Sequence, residues 1–261
     1  MRHQQVLDKL AARGIVQGMV EDVARWTAGQ MAYPGRSHAE VEKAVVPPVL
    51  TRWRCLLEDA DATATDKNVG WVALATVLHK HGFHDSAVTA RALASVDELN
   101  RHVVLSDAFA RQSPAVKALL RSAPTPLTRR PRRPAAVTFL RPGDVVSIRL
   151  ADRFHAAHVH DLHGANEFPV IEFYAGSFTG PPTMTQLTNR PAARADAGAR
   201  FGVVGLTHLP DPARQVLLLA SQHARPPHGG APRPGNGLWT LTDLLDLPTA
   251  TASLRSTAGP N

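Results

Sequence analysis

The feature that most constrains the fold is a proline- and arginine-rich run, SAPTPLTRRPRRP, at residues 122–134. Proline fixes φ and lacks an amide donor, so no helix crosses this run and an extended spacer is expected. The hydrophobic period differs on its two sides: helical spacing before it, alternation after it. The chain is therefore read as α+β. A helical domain at 1–121 and the basic linker at 122–134 precede an antiparallel β-domain at 135–223. A Pro/Gly-rich linker at 224–237, a short helix at 238–247 and a disordered tail at 248–261 complete the expected order.

In the first part, Val6, Leu7, Leu10 and Ala11 form one apolar stripe. Ile15, Met19, Val23 and Trp26 form a second, after Gly14. Ser37 with Glu40 three residues on reads as a capping box. Pro47 and Pro48 are expected to interrupt or kink the helix that follows. Trp71, Leu74, Ala75 and Leu78 recur at helical spacing, Gly82 ends that helix, and Ala87, Ala90 and Ala94 are small enough to pack closely in the next. This pair, 68–95, resembles a single tetratricopeptide-type hairpin, with no second copy at the period of about 34 residues that an array requires.

Beyond the linker Val137 and Phe139 alternate with small or polar residues. After an RPGD turn at 141–144, Val146, Ile148 and Leu150 share one face, and Val145, Ser147 and Arg149 the other. Ala151-Asp152 is a hairpin turn into a strand at 153–162, and 168–174 is the next. A helical turn at 183–189 starts with Thr183 or Thr185 as cap. Strands are expected at 201–206 and 215–221, with Pro210-Asp211-Pro212 turning between them. In the last helix Leu241, Leu244 and Leu245 share one face.

Composition limits what such a chain can do. Apolar residues make up 44% and aromatic ones only 5%, so the core is built from Leu, Val and Ala. Abundant Ala, Arg, Pro and Thr point to a GC-rich bacterial source. Lys plus Arg number 29 against 22 Asp plus Glu, a net charge of +7 that favours anionic partners. Arg129, Arg130, Arg132 and Arg133 concentrate that charge in the linker, where they would attract phosphates. The single cysteine, Cys55, excludes an intramolecular disulfide and a cysteine zinc cluster, and is read as a buried thiol. The N-terminus is amphipathic and no apolar window is long enough to span a bilayer. A cytoplasmic protein with no membrane partner is expected.

Motifs for catalysis are missing from the sequence: no phosphate-binding GxxxxGK[ST], no GxGxxG, no GxSxG elbow, no HExxH. What remains is the histidine series His155, His158, His160 and His163. On a strand His158 and His160 share a face, and Glu172 on the next strand, or Glu167, could complete a metal set. Without a metal, these imidazoles occupy an exposed or half-exposed sheet face. Glu172 then faces solvent or pairs with an arginine such as Arg149 or Arg153. His79, His81 and His84 are read as surface residues at a helix C-terminus, where imidazolium is favoured.

The run GDVVSIRLADRFHAAHVHDL, followed by PVIEFYAGSF and PPTMTQL, resembles the immunity-26 type of polymorphic-toxin immunity domain over about 139–207. The resemblance is carried by Gly143, Asp144, Val145, Ile148, Leu150, Phe154, Ala157, Val159, Ile171, Phe173, Tyr174, Pro182, Thr183 and Leu187. It implies a compact, SH3-like, mostly antiparallel β-domain that binds a partner macromolecule and has no known catalysis. The resulting expectation is a non-enzymatic, immunity-like protein without cofactor. It would grip a protein partner, such as a toxin, through exposed Arg153, His155, His158, His160, Glu172 and Tyr174. Two alternatives stand beside it. One is a nucleic-acid-associated accessory protein using the linker arginines. The other is a metal-dependent enzyme using His158, His160 and Glu172.

Overall fold

The computed structural model describes residues 1–101, 105–134, 137–194, 199–223 and 225–228, and the backbone of 238–240. The chain divides into two compact units, Met1–Pro134 and Ala135–Asn261. A helical region followed by a β region gives the α+β class.

The first unit holds α1 (His3–Leu7), α2 (Arg13–Gln30), α3 (His38–Leu57), α4 (Ala64–Lys80), α5 (Ser86–Arg101) and α6 (Asp107–Arg121). α4 is its hub. Every residue from Val72 to His79 is buried, and the helix packs against α1, α2, α3, α5 and α6. A helix apolar on all sides can only be a core helix. The starts are set by side chains. Ser37 and Glu40 form the expected capping box, and Thr63 and Ser106 accept from the Asp66 and Phe109 amides. The expected interruption at Pro47 and Pro48 is absent: α3 runs through both. The amide bonds they forgo are offset by a buried stripe of Val45, Val49 and Trp53 on the same helix. Cys55 is buried, as read.

α4 ends in a Schellman motif. Phe83 N–H donates to Leu78 O at 3.0 Å and Gly82 N–H to His79 O at 3.1 Å. Gly82 has φ +84°, and a Cβ there would lie 2.7 Å from Pro126 Cα. Only glycine fits. The contact also shows that the start of the basic run packs on the helices. The His79 imidazole bridges the same region, accepting from His3 Nε2–H at 2.8 Å and donating to Ser122 O at 3.0 Å. Thus His79 and His81 are buried, against the surface reading, and only His84 is exposed. Arg129, Arg130, Arg132 and Arg133 are exposed.

The second unit is built on one six-stranded sheet: β1 (Val145–Leu150), β2 (Arg153–His163), β3 (Phe168–Phe173), β4 (Arg200–Val204), β5 (Val216–Ala220) and β6 (Leu238–Thr240). The order is β5-β1-β2-β3-β4-β6. All pairs are antiparallel except β4 with β6. The helix expected at 238–247 is therefore corrected at its start: 238–240 is a strand pairing with Gly202–Val204, and the rest lies outside the described residues. The alternation at Val137 and Phe139 does not make a strand either. Both side chains are exposed, and Thr138 instead donates N–H to Asn166 O at 2.8 Å. Within the 224–237 linker, Arg225–His228 is described and ordered by pairing, with a bridge from Pro191 to His228. The 248–261 tail lies outside the described residues.

Both faces of the sheet carry core. One holds Val146, Ile148, Ala157, Val159, Ile171, Phe173, Phe201 and Val203. The other holds Val145, Ala156, Tyr174, Phe178 and Leu187, the last from a short helix α7 (Met184–Leu187) capped by Thr183. The expectation of one solvent-facing side is thus overturned, because the chain after β3 folds back over it.

Candidate functional site

Of the polar residues singled out in the sequence, His158, His160, Glu172 and Tyr174 collect on that second face, while Arg153 and His155 share the parity of the first. Strand register explains how. Val145 pairs with His158, His158 with Glu172 and Glu172 with Arg200, one lateral row across β1, β2, β3 and β4. Directly opposite residues on one face have Cβ atoms about 5 Å apart. A register shift between Val159 and Asp161 makes His160 an extra residue. Such a bulge bends the strand and re-aims a side chain. Here it sets the His160 ring 4.6 Å, centroid to centroid, from that of His158.

Glu172 is 1% exposed, so its carboxylate must be neutralised in place. His160 Nε2–H donates to Glu172 Oε2 at 2.7 Å, and Arg200 Nε–H reaches the same oxygen at 3.2 Å. The solvent-facing reading of Glu172 is corrected, and its arginine is Arg200 rather than Arg149 or Arg153. Arg149 stacks on Phe154 with Cζ 5.8 Å from the ring centroid, and Arg153 donates to Ser177 Oγ and O, each at 3.2 Å. Phe201 marks β4 in the sequence, and Arg200 has the opposite parity, the one signal that could have found it.

His155 and His158 are buried, which disfavours their charged forms. His158 Nε2–H donates to His223 O at 3.0 Å, leaving Nδ1 buried without a partner. Burial lowers its pKa, opposed by that hydrogen bond. His155 lies on the first face, opposite Ile148 and edge-on to Phe173 at 6.1 Å. Burial, with help from the Arg153 charge, lowers its pKa to about 4. Tyr174 is buried, donates O–H to Arg225 O at 3.2 Å, and is pushed up to about 12 by burial and by Glu172. The expectation that His155, His158, Glu172 and Tyr174 lie on an exposed gripping surface is therefore corrected: all four are buried. Arg153 is exposed, and His160 shows 14% of its side chain.

His158, His160 and Glu172 do come together. His160 Nε2–H is spent on Glu172 Oε2 and His158 Nε2–H on the His223 carbonyl, and among the described residues no trio of His, Cys, Asp or Glu is arranged to hold a metal ion. What the sequence reading passed over is the sheet edge. β5 is terminal in the strand order, and Leu217 and Leu218 are 36% and 41% exposed. No described helix is long and apolar enough to cross a membrane. No family model matches the chain, and the searches of curated proteins and of solved structures each returned no match.

Proposed function

We propose that this is a non-enzymatic protein-binding protein of the immunity kind, whose β unit takes a strand of its partner onto the β5 edge. The observation that carries this is the edge itself. Val216-Leu217-Leu218-Leu219-Ala220 contains no charge and no proline. Natural sheets protect exposed edges with lysine, proline, bulges or a cover. The register shift at Val145/Val146 affects only one end, leaving Val216–Leu218 regularly paired with β1. Leu217 lies opposite Ser147 and Leu218 opposite Val146, so the two exposed leucines project to opposite faces. An added strand would gain main-chain hydrogen bonds from the edge and alternate side-chain contacts from these leucines. The Glu172–Arg200–His160 set, with its carboxylate buried, then serves to stiffen the platform. Arg153 and His160 remain the members of the original set open to a partner.

Affinity capture with the full chain, followed by reconstitution with the purified captured protein, tests this. Leu218→Lys should weaken that complex at least about tenfold while leaving the fold intact. An unchanged complex refutes the edge. A second reading, nucleic-acid association, draws on the exposure of Arg129, Arg130, Arg132 and Arg133. It predicts steeply salt-dependent binding that is lost when the four are changed to alanine.

A further inference from the structure

The helical unit contains a cleft of about 250 Å³ that the reading above does not use. Its walls come from the C-terminal end of α2, the turn at 31–36, the start of α3, the α4–α5 junction and Leu127. The Schellman turn places Phe83 in it. The His38 and His81 rings lie nearly parallel to the Phe83 ring, at 21° and 22°, with centroids 5.4 and 6.3 Å away. Phe83 is 1% exposed, so this stack shows the cleft the half-buried His38 ring.

Its polar groups are ordered from depth to mouth. Thr27 is fully buried, and its hydroxyl makes no hydrogen bond. A buried hydroxyl without a partner costs about 1–3 kcal/mol, so it calls for an explanation. His81 is also buried. Its Nδ1–H donates to Val77 O at 2.9 Å, which in the neutral ring leaves Nε2 as an acceptor. Burial lowers the His81 pKa, consistent with that neutral form. His38 Nε2–H donates to Gly82 O at 2.8 Å. At the mouth Tyr33 is 59% exposed, and the Arg36 guanidinium lies over its ring at 4.5 Å. None of the lining residues is acidic. Outside the lining, Glu40 is held by the Ser37 amide and hydroxyl, which lower its pKa with a smaller contribution from the Arg36 charge.

We infer that this cleft binds a planar, single-ring acid that carries a hydrogen-bond donor opposite its carboxylate. The ring stacks against His38 and Tyr33, the donor meets His81 Nε2 and Thr27 Oγ1, and the carboxylate meets Arg36. A volume of 250 Å³ is below that of a drug-sized pocket, which limits the ligand to about one ring. Two complementary ends impose an orientation that an unsubstituted ring acid would lack.

The test uses 4-hydroxybenzoate as probe and benzoate as the donor-less control, titrated into the full chain and followed by the imidazole resonances of His38 and His81. The expected result is saturable binding of 4-hydroxybenzoate in the millimolar range or tighter, with benzoate at least about fivefold weaker. Arg36→Ala, on the surface, should weaken 4-hydroxybenzoate about fivefold. Thr27→Val, nearly isosteric, should narrow the gap between the two probes without lowering thermal stability. No saturable shift at about 5 mM would overturn the inference. So would binding that ignores both substitutions, or equal affinity for the two probes.

Discussion

Each unit buries one carboxylate between two cationic groups, and the two solutions differ. In the helical unit Asp22 accepts from Arg25 at 3.0 Å within α2 and from Arg52 of α3 at 2.6 Å, and all three are buried. Arg25 Nη2 has no partner there. In the β unit Glu172 is flanked by Arg200 and His160, whose side chains remain 18% and 14% exposed. The helical triad is sealed. The β triad has its carboxylate inside and its cations reaching water. A sealed triad can only hold helices in place. An open one can also present its cations to whatever docks on the unit.

The sharpest way to break this comparison is to remove each carboxylate. Asp22→Asn removes the carboxylate that two buried guanidinium groups share and should cost about 3–5 kcal/mol in urea unfolding. Glu172→Gln should cost less, about 2–3 kcal/mol, because Arg200 and His160 can turn towards solvent. Equal losses would mean that the difference in exposure is unimportant.

Acid sharpens the comparison further. An unfolded chain takes up a proton near the ordinary imidazole value of 6.5, while native His155 refuses one until about 4. The stability tied to this group is complete above pH 6.5 and is lost as pH falls towards 4, at up to about 1.4 kcal/mol per pH unit. His158, lowered by burial, adds to the same trend. The Asp22 triad contains no histidine, so replacing His155 by Phe should flatten the acid slope in the β unit and leave the helices as they were. Thermal melting from pH 7 to 4 measures this. The smallest effect is expected from Arg129, Arg130, Arg132 and Arg133, exposed in the linker. Their joint replacement by alanine should change stability by less than about 0.5 kcal/mol, read by the same unfolding curves.

Local rules made much of the architecture legible. The Ser37–Glu40 box, the Gly82 stop and the parity of β1 all act within a few residues, and each holds in the structure. The parity argument also put Glu172 beside His158, since a strand pair needs only a turn to set its register. What escaped was non-local. Arg200 lies 28 positions from Glu172 and meets it only through β4 pairing. The covering of the second face by Tyr174, Phe178 and Leu187 turned expected contact residues into interior ones. At Leu238–Thr240 pairing with the parallel partner β4 makes a strand of the start of the expected helix. Val137 and Phe139 show the converse, an alternating pattern with no strand to pair with.

The most direct measurement of the account is amide hydrogen exchange along Val216–Ala220, with and without the captured partner protein. Strand addition predicts that the outward-facing amides of β5 become strongly protected in the complex and that Leu218→Lys abolishes the protection. Unchanged exchange along β5 in a saturated complex would contradict it.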